Sequence, residues 1–85
     1  MVTFHYTVTD PVGIHARPAG LLAKKAKEFE SEISIQKGEK SALAHKLMAV
    51  MGLCIKCGDT VTVSVSGADE ARAAAELERF FAEHF

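Results

Sequence analysis

Two stretches of the sequence alternate strictly between apolar and polar residues, and this limits the possible folds more than any other feature. Residues 2–8 place valine and aromatic side chains on one face of an extended chain and threonine and histidine on the other. Residues 60–66 repeat the pattern with three valines, and Ile33 and Ile35 continue it between polar neighbours. Alternation of this kind predicts strands with one buried face, typical of an antiparallel sheet covered on one side.

Two longer segments show helical spacing instead and would supply that cover. Residues 16–29 carry apolar side chains three or four positions apart, namely Ala19, Leu22, Ala26 and Phe29. Pro18 suits the first turn of this helix, where a backbone N–H has no partner. Residues 70–84 repeat the spacing with Ala74, Leu77 and Phe81, and Asp69 is expected to cap the start of this helix.

The shorter elements complete a two-layer arrangement. Lys37–Lys40 has the composition of a turn, and residues 41–43 are expected to form a short returning strand. Residues 46–51 are expected to form a short helix that ends near Gly52. The sequence therefore predicts an α+β two-layer sandwich, with an antiparallel sheet covered on one face by helices.

Length and charge narrow the class of protein. The 85 residues are enough for a single domain, 1–85, and ten Lys and Arg balance eleven Asp and Glu to a net charge of −1. This balance argues against recruitment of nucleic acid by charge, and no apolar run is long enough for membrane insertion. The first residues lack the pattern of a signal peptide, and two cysteines do not make a disulfide framework. We expect a cytoplasmic protein.

The hexapeptide Gly13–Pro18 is the candidate functional site. His15 lies at the predicted start of the first long helix, where unpaired amides and the helix dipole favour an anion such as phosphate. The same field disfavours imidazolium, so the pKa of His15 is expected to fall and its neutral ring to act as a nucleophile. Arg17 offers a planar fork for phosphate oxygens. The alternative is a histidine that only caps the helix, beside an incidental arginine.

The segment Gly13–Ala19, the chain length and the element order resemble those of HPr, the histidine-containing phosphocarrier family of the bacterial sugar phosphotransferase system. The residues 47–51 fit as well, so the resemblance covers the whole chain. It implies an open-faced sandwich of order βαββαβα with a four-stranded antiparallel sheet. It also implies a carrier with no turnover of its own and no cofactor.

The resemblance implies a relay. Enzyme I would phosphorylate His15 on Nδ1, with Ala16, Arg17 and Pro18 binding the phosphoryl group, and a sugar-specific enzyme IIA domain would then receive it. The carrier is expected to be a monomer. A carrier or regulator of a parallel system, nitrogen-related or transcriptional, is the alternative.

A partner surface follows from the positions that match the family interface. It combines apolar side chains with a basic rim, which suits partners with acidic rims. Val50 is expected to point inward, and Leu47 and Met48 to be at least partly exposed. The expected contact residues are Ala16, Arg17, Gly20, Leu21, Lys24, Lys27, Leu47, Met48 and Met51.

Two features depart from the family pattern or lie outside it. Lys46 occupies the position where many relatives from Firmicutes carry a regulatory serine, so regulation by that serine is in doubt. Cys54 and Cys57 form a CxxC motif, which supplies half of a zinc site and does not stand at a helix N-terminus after a strand, as a thioredoxin-like pair would. We expect no metal site; a structural or incidental role is favoured, and redox switching stays open.

Overall fold

The computed structural model describes residues 1–14 and 16–85, which form four strands and three helices. The strands are β1 (Val2–Thr7), β2 (Glu32–Lys37), β3 (Lys40–Leu43) and β4 (Thr60–Ser66). The helices are α1 (Ala16–Ala26), α2 (Leu47–Met51) and α3 (Glu70–His84). The order along the chain, βαββαβα, is the predicted one.

The strands form one antiparallel sheet in the order β1-β4-β2-β3. Val2 pairs with Val65 and Phe4 with Val63, so the apolar residues of β1 and β4 share a face. The three valines of β4 are fully buried, whereas Thr3, His5 and Thr7 of β1 are exposed. The sheet therefore has one buried and one exposed face, as the alternation of apolar and polar residues predicts.

The helices cover the apolar face of the sheet. α3 packs on β1 and β4, while α1 packs beside α2 and α2 beside β3. Phe81 of α3 lies at the centre of an aromatic group, with ring centroids 5.9 Å from Phe4, 5.6 Å from Tyr6 and 5.0 Å from Phe85. The structure is thus the open-faced α+β sandwich that the sequence predicts.

The first long helix is shorter than predicted. It ends at Ala26, and the chain continues in tight turns in which Glu28 N–H donates to the Lys25 carbonyl at 3.0 Å. Phe29 is still buried, because the turn carries its ring inward beneath the Arg72 guanidinium, 5.0 Å from the ring centroid. Helical spacing identified Phe29 as a core residue but placed it in the wrong element.

Asp69 is the N-cap residue of α3, as predicted, but its side chain does not form the capping bond that was expected of it. The Asp69 carbonyl accepts the first helical bond from Ala73 N–H at 2.9 Å, but its carboxylate makes no capping bond. The carboxylate instead accepts the backbone N–H groups of Glu30 at 3.0 Å and Ser31 at 2.9 Å, and the Ser31 hydroxyl. These donors, the Ser31 hydroxyl first, lower the pKa of Asp69 to about 2. Asp69 therefore links the turns that follow α1 to the start of α3.

No helix in the described part of the chain is long and apolar enough to cross a membrane.

Candidate functional site

A compact turn leads into α1. The Asp10 carboxylate accepts Val12 N–H at 2.8 Å, and the Asp10 carbonyl accepts Gly13 N–H at 2.9 Å. Aspartate bonded to the amide two residues later is a common way to begin a turn, and Pro11 fixes the backbone between them. Asp10 was not among the predicted site residues, although the Asp10-Pro11 pair is typical of a turn.

Gly13 and Ile14 are held against the loop that precedes β4. The φ angle of Gly13 is +79°, and an added Cβ would lie 2.5 Å from the Ile55 carbonyl oxygen and 2.8 Å from Lys56 Cα. Ile14 is buried and donates its N–H to the same Ile55 carbonyl at 3.0 Å. Glycine is therefore required here for its backbone angle and for the close approach of a second chain segment. Nothing local in the sequence indicates that Ile55 and Lys56 are the neighbours of this glycine.

His15 lies outside the described residues, so its predicted low pKa and nucleophilic ring stay predictions. The residues on either side define its position in the chain. Ile14 is anchored to the Ile55 carbonyl, and Ala16 is the first residue of α1. His15 therefore stands between a fixed turn and the beginning of a helix.

The first turn of α1 has the properties of an anion site. Ala16 and Arg17 are exposed, while Pro18 is buried and supports the turn from beneath. The turn contains no acidic residue, so nothing in it offsets the partial positive charge of the helix start. Within residues 1–14 and 16–85, Arg17 has no carboxylate partner.

The expected partner surface lies on the outer sides of α1 and α2. Leu21 is 43% exposed and Met48 is 77% exposed, while Gly20, Leu47 and Met51 are partly buried. Val50 is fully buried, as predicted, so α2 has one inward and one outward side. Since α1 packs beside α2, these residues are brought to neighbouring positions on one side of the molecule.

The lysines expected to form the basic rim of this surface are exposed. Lys24 and Lys27 are exposed, and neither has a carboxylate partner within the described part of the chain. Lys25, on the same helix, is already engaged with Glu76 at 3.1 Å and Glu28 at 3.7 Å. Lys46 is also exposed and precedes α2 without capping it through its side chain.

A further contact near the site involves Phe85. Its buried ring packs in the core, and its main-chain oxygen accepts the N–H groups of Thr9 at 2.6 Å and Asp10 at 2.8 Å. The Thr9 hydroxyl donates to the same oxygen at 3.2 Å. The beginning of the turn that leads to His15 is therefore fixed by the residue that follows α3. No local sequence signal could reveal this pairing across the chain.

Cys54 and Cys57 are both exposed free thiols in the loop between α2 and β4. Among the residues that the structure describes, no three His, Cys, Asp or Glu side chains gather as they would around a metal ion.

An open-faced sandwich with an exposed, cationic helix start defines a small α+β protein suited to anion chemistry. Residues 2–83 match the family model described as the PTS HPr component phosphorylation site. The phosphocarrier protein HPr of Lysinibacillus sphaericus is 47% identical over 73 residues, which span 86% of this chain and 83% of that protein. The chain therefore belongs to the HPr family of phosphocarrier proteins.

Solved structures agree with this assignment. The histidine-containing phosphocarrier protein of Mycoplasma superposes with a TM-score of 0.90 at 38% identity, over 93% of this chain and 90% of that one. HPr-C-His from Thermoanaerobacter tengcongensis superposes with a TM-score of 0.93 at 32% identity, over 100% of this chain and 96% of that one. The fold is thus the HPr fold throughout.

Proposed function

We propose that this chain, acting as one domain over residues 1–85, is a phosphocarrier that accepts a phosphoryl group on His15 from phosphorylated enzyme I. It then passes the group to a sugar-specific enzyme IIA domain. The observation that carries the proposal is the family match over residues 2–83, whose description names a phosphorylation site. His15 follows the anchored Gly13–Ile14 turn and precedes α1, which is where an acceptor needs a fixed backbone and an anion-binding helix start.

The surroundings of His15 favour both states of a reversible transfer. Before transfer, the positive end of α1 disfavours imidazolium and keeps a ring nitrogen free to attack phosphorus. After transfer, the same end and the Arg17 guanidinium stabilise the negative phosphoryl oxygens. Pro18 has no N–H, so among the first three residues of α1 only Ala16 and Arg17 offer amide donors. One arrangement therefore serves acceptance and donation.

Partner docking would use the apolar and basic surface of α1 and α2. Leu21, Met48 and the partly buried Met51 would provide the apolar contacts, and Lys24 and Lys27 the charge. Methionine side chains adapt to different surfaces, which a carrier that meets a donor and an acceptor requires. Ala16, Gly20 and Leu47 would complete the surface. Unpaired surface lysines raise association rates toward acidic partners more than they raise affinity.

The remaining parts of the proposal follow from this role. The carrier would act in the cytoplasm as a monomer, without a metal or cofactor, and enzyme I and enzyme IIA would supply the other catalytic groups. Lys46 extends the basic rim, so regulation through a phosphorylated residue at this position is not part of the proposal.

The test is phosphoryl acceptance from phosphoenolpyruvate and enzyme I, measured by intact mass and by the acid lability of the adduct. We expect one acid-labile phosphoryl group on the native chain and none on His15→Ala. The thermal unfolding of His15→Ala should match that of the native chain, which shows that the loss is chemical.

The matched control is His5→Ala. His5 is an exposed histidine on the open face of the sheet, with its Nδ1 3.0 Å from the Thr62 hydroxyl oxygen. This variant should accept phosphate as the native chain does. Labelling of His15→Ala, or loss of labelling in folded His5→Ala, would contradict the assignment of His15.

A further inference from the structure

The loop between α2 and β4 carries two thiols that the carrier role does not use. Cys54 and Cys57 are both free and exposed, and two residues separate them. Cys54 has a φ angle of 52°, in the left-handed region, so the chain is already bent at the first thiol. A bent four-residue segment can bring its ends within the Cα separation of about 4.4–6.8 Å that a disulfide needs.

The peptide unit between Ile55 and Lys56 lies midway between the two thiols and is anchored at both ends. Its carbonyl accepts Ile14 N–H at 3.0 Å. Its N–H donates to the Asp59 carboxylate at 2.8 Å. A disulfide between Cys54 and Cys57 would close a ring that includes this peptide unit, and so would act on the carbonyl that accepts the Ile14 N–H.

The rest of the loop is paired with the segment that leads from β1 to Ile14. The Cys57 thiol donates to the Thr9 carbonyl at a sulfur–oxygen distance of 3.8 Å. Gly58 N–H donates to the Val8 carbonyl at 2.8 Å, and Val8 N–H donates to the Asp59 carbonyl at 2.9 Å. A chemical change at the thiols therefore takes place next to the backbone segment that leads from β1 to Ile14, the residue before His15.

We propose that Cys54 and Cys57 form a dithiol site for thiol–disulfide exchange with a small-molecule disulfide of the glutathione type, and that oxidation to an internal disulfide weakens the hold of Ile55 on Ile14. One cysteine thiolate attacks a sulfur of oxidised glutathione, which forms a mixed disulfide and releases one glutathione thiolate. The second cysteine thiolate attacks the protein sulfur of that mixed disulfide and releases the other glutathione thiolate. The two protein thiols lose two electrons and two protons, and oxidised glutathione becomes two thiols.

Oxidation would also affect phosphoryl transfer, a consequence that rests on the proposed function of His15. Displacing an acceptor by about 1 Å from the line of transfer can slow a positioned reaction about a hundredfold. The dithiol form would be the active carrier and the disulfide form the slow one.

The experiment equilibrates the purified protein with mixtures of reduced and oxidised glutathione. Intact mass reports the loss of two hydrogen atoms, and amide hydrogen exchange reports the Ile14 N–H. We expect the internal disulfide as the main oxidised species, with Ile14 exchange faster by about tenfold or more. Phosphoryl acceptance by the oxidised protein should be slower by about tenfold and recover on reduction.

The matched controls are Cys54→Ser and Cys57→Ser, each of which replaces one exposed thiol by a hydroxyl of similar size and so cannot close the ring. They should form only the mixed disulfide and keep the slow Ile14 exchange of the reduced protein. Two free thiols or a persistent mixed disulfide in the native sequence would overturn the dithiol site, and an internal disulfide with unchanged Ile14 exchange would overturn the coupling. If the reduced protein accepts no phosphate, the proposed function fails. Intact mass and the hydrogen exchange of the Ile14 N–H still show whether the disulfide forms and whether it weakens the bond to Ile55.

Discussion

Gly13 shows how much of the site depends on a single backbone position. It combines a positive φ angle with a contact so close that no side chain fits between it and the Ile55 carbonyl. The residue that follows, Ile14, uses its N–H to bond that carbonyl, so the two residues fix the last described atoms before His15. The site is therefore defined by main-chain geometry at least as much as by its charged side chains.

The Gly13→Ala variant should be destabilised and should accept phosphate slowly. The left-handed backbone alone costs a non-glycine residue about 1–2 kcal/mol, and the contact with Ile55 adds to that cost. Urea unfolding measures the change in the free energy of unfolding, and the mass assay measures acceptance.

The matched control is Gly38→Ala in the turn between β2 and β3. Gly38 also has a positive φ, +60°, but an added Cβ would meet nothing within 4 Å. This variant should show only the backbone cost and normal acceptance. Equal losses of unfolding free energy in the two variants would mean that the close approach of Ile55 to Gly13 does not add to the cost of the substitution.

At the scale of elements, Asp69 connects the segment that follows α1 with the beginning of α3. Its carboxylate gathers donors from Glu30 and Ser31, which draws the chain out of the helical path after Ala26. The sequence predicts the helices from their apolar spacing, because spacing reflects a face that is buried. It cannot predict which distant amides a carboxylate will bond, and so the predicted end of α1 was wrong, and Asp69 was placed correctly as the N-cap of α3 while the partners of its carboxylate were missed.

The Asp69 contact predicts a specific pH dependence of stability. The pKa in the folded protein is about 2, below the ordinary 3.8, so the ionised carboxylate stabilises the folded state. This stabilisation is complete above about pH 4 and is lost as the pH falls toward 2. Asp69→Asn should be less stable than the native protein at pH 5, with the difference narrowing between pH 4 and pH 2.

Urea unfolding at several pH values measures this difference. Comparison of the two proteins removes the contribution of Asp59, whose pKa is lowered by the Lys56 backbone N–H and by Lys37. Ser31→Ala removes the largest cause of the Asp69 shift and should reduce the pH dependence without abolishing it. A stability difference that stays constant from pH 5 to pH 2 would refute the role of the ionised carboxylate.

At the scale of the whole molecule, a small core supports the site. A chain of this length is stable by only a few kcal/mol to about 10 kcal/mol, so each large buried side chain accounts for a substantial share. Phe81 is fully buried and contacts aromatic rings from β1 and from Phe85. Since Phe85 in turn bonds Thr9 and Asp10, the core connects with the turn before His15.

Phe81→Ala should lower the free energy of unfolding by about 3–5 kcal/mol. Phe80→Ala, one residue earlier on the same helix, is the matched control, because Phe80 is only partly buried. It should cost clearly less in thermal and urea unfolding. Equal losses for the two variants would show that burial of Phe81 does not determine the stability of α3.

The strand order has a consequence for synthesis of the protein. β1 pairs only with β4 among the described strands, and β4 lies between β1 and β2 at the centre of the sheet. The residues of β1 therefore wait for β4, which ends at Ser66, and for α3, which covers them. On the ribosome, the nascent chain cannot assemble this sheet until most of it has emerged. The turn before His15, bonded to the loop that precedes β4 and to Phe85, acquires its shape only after Phe85 has emerged.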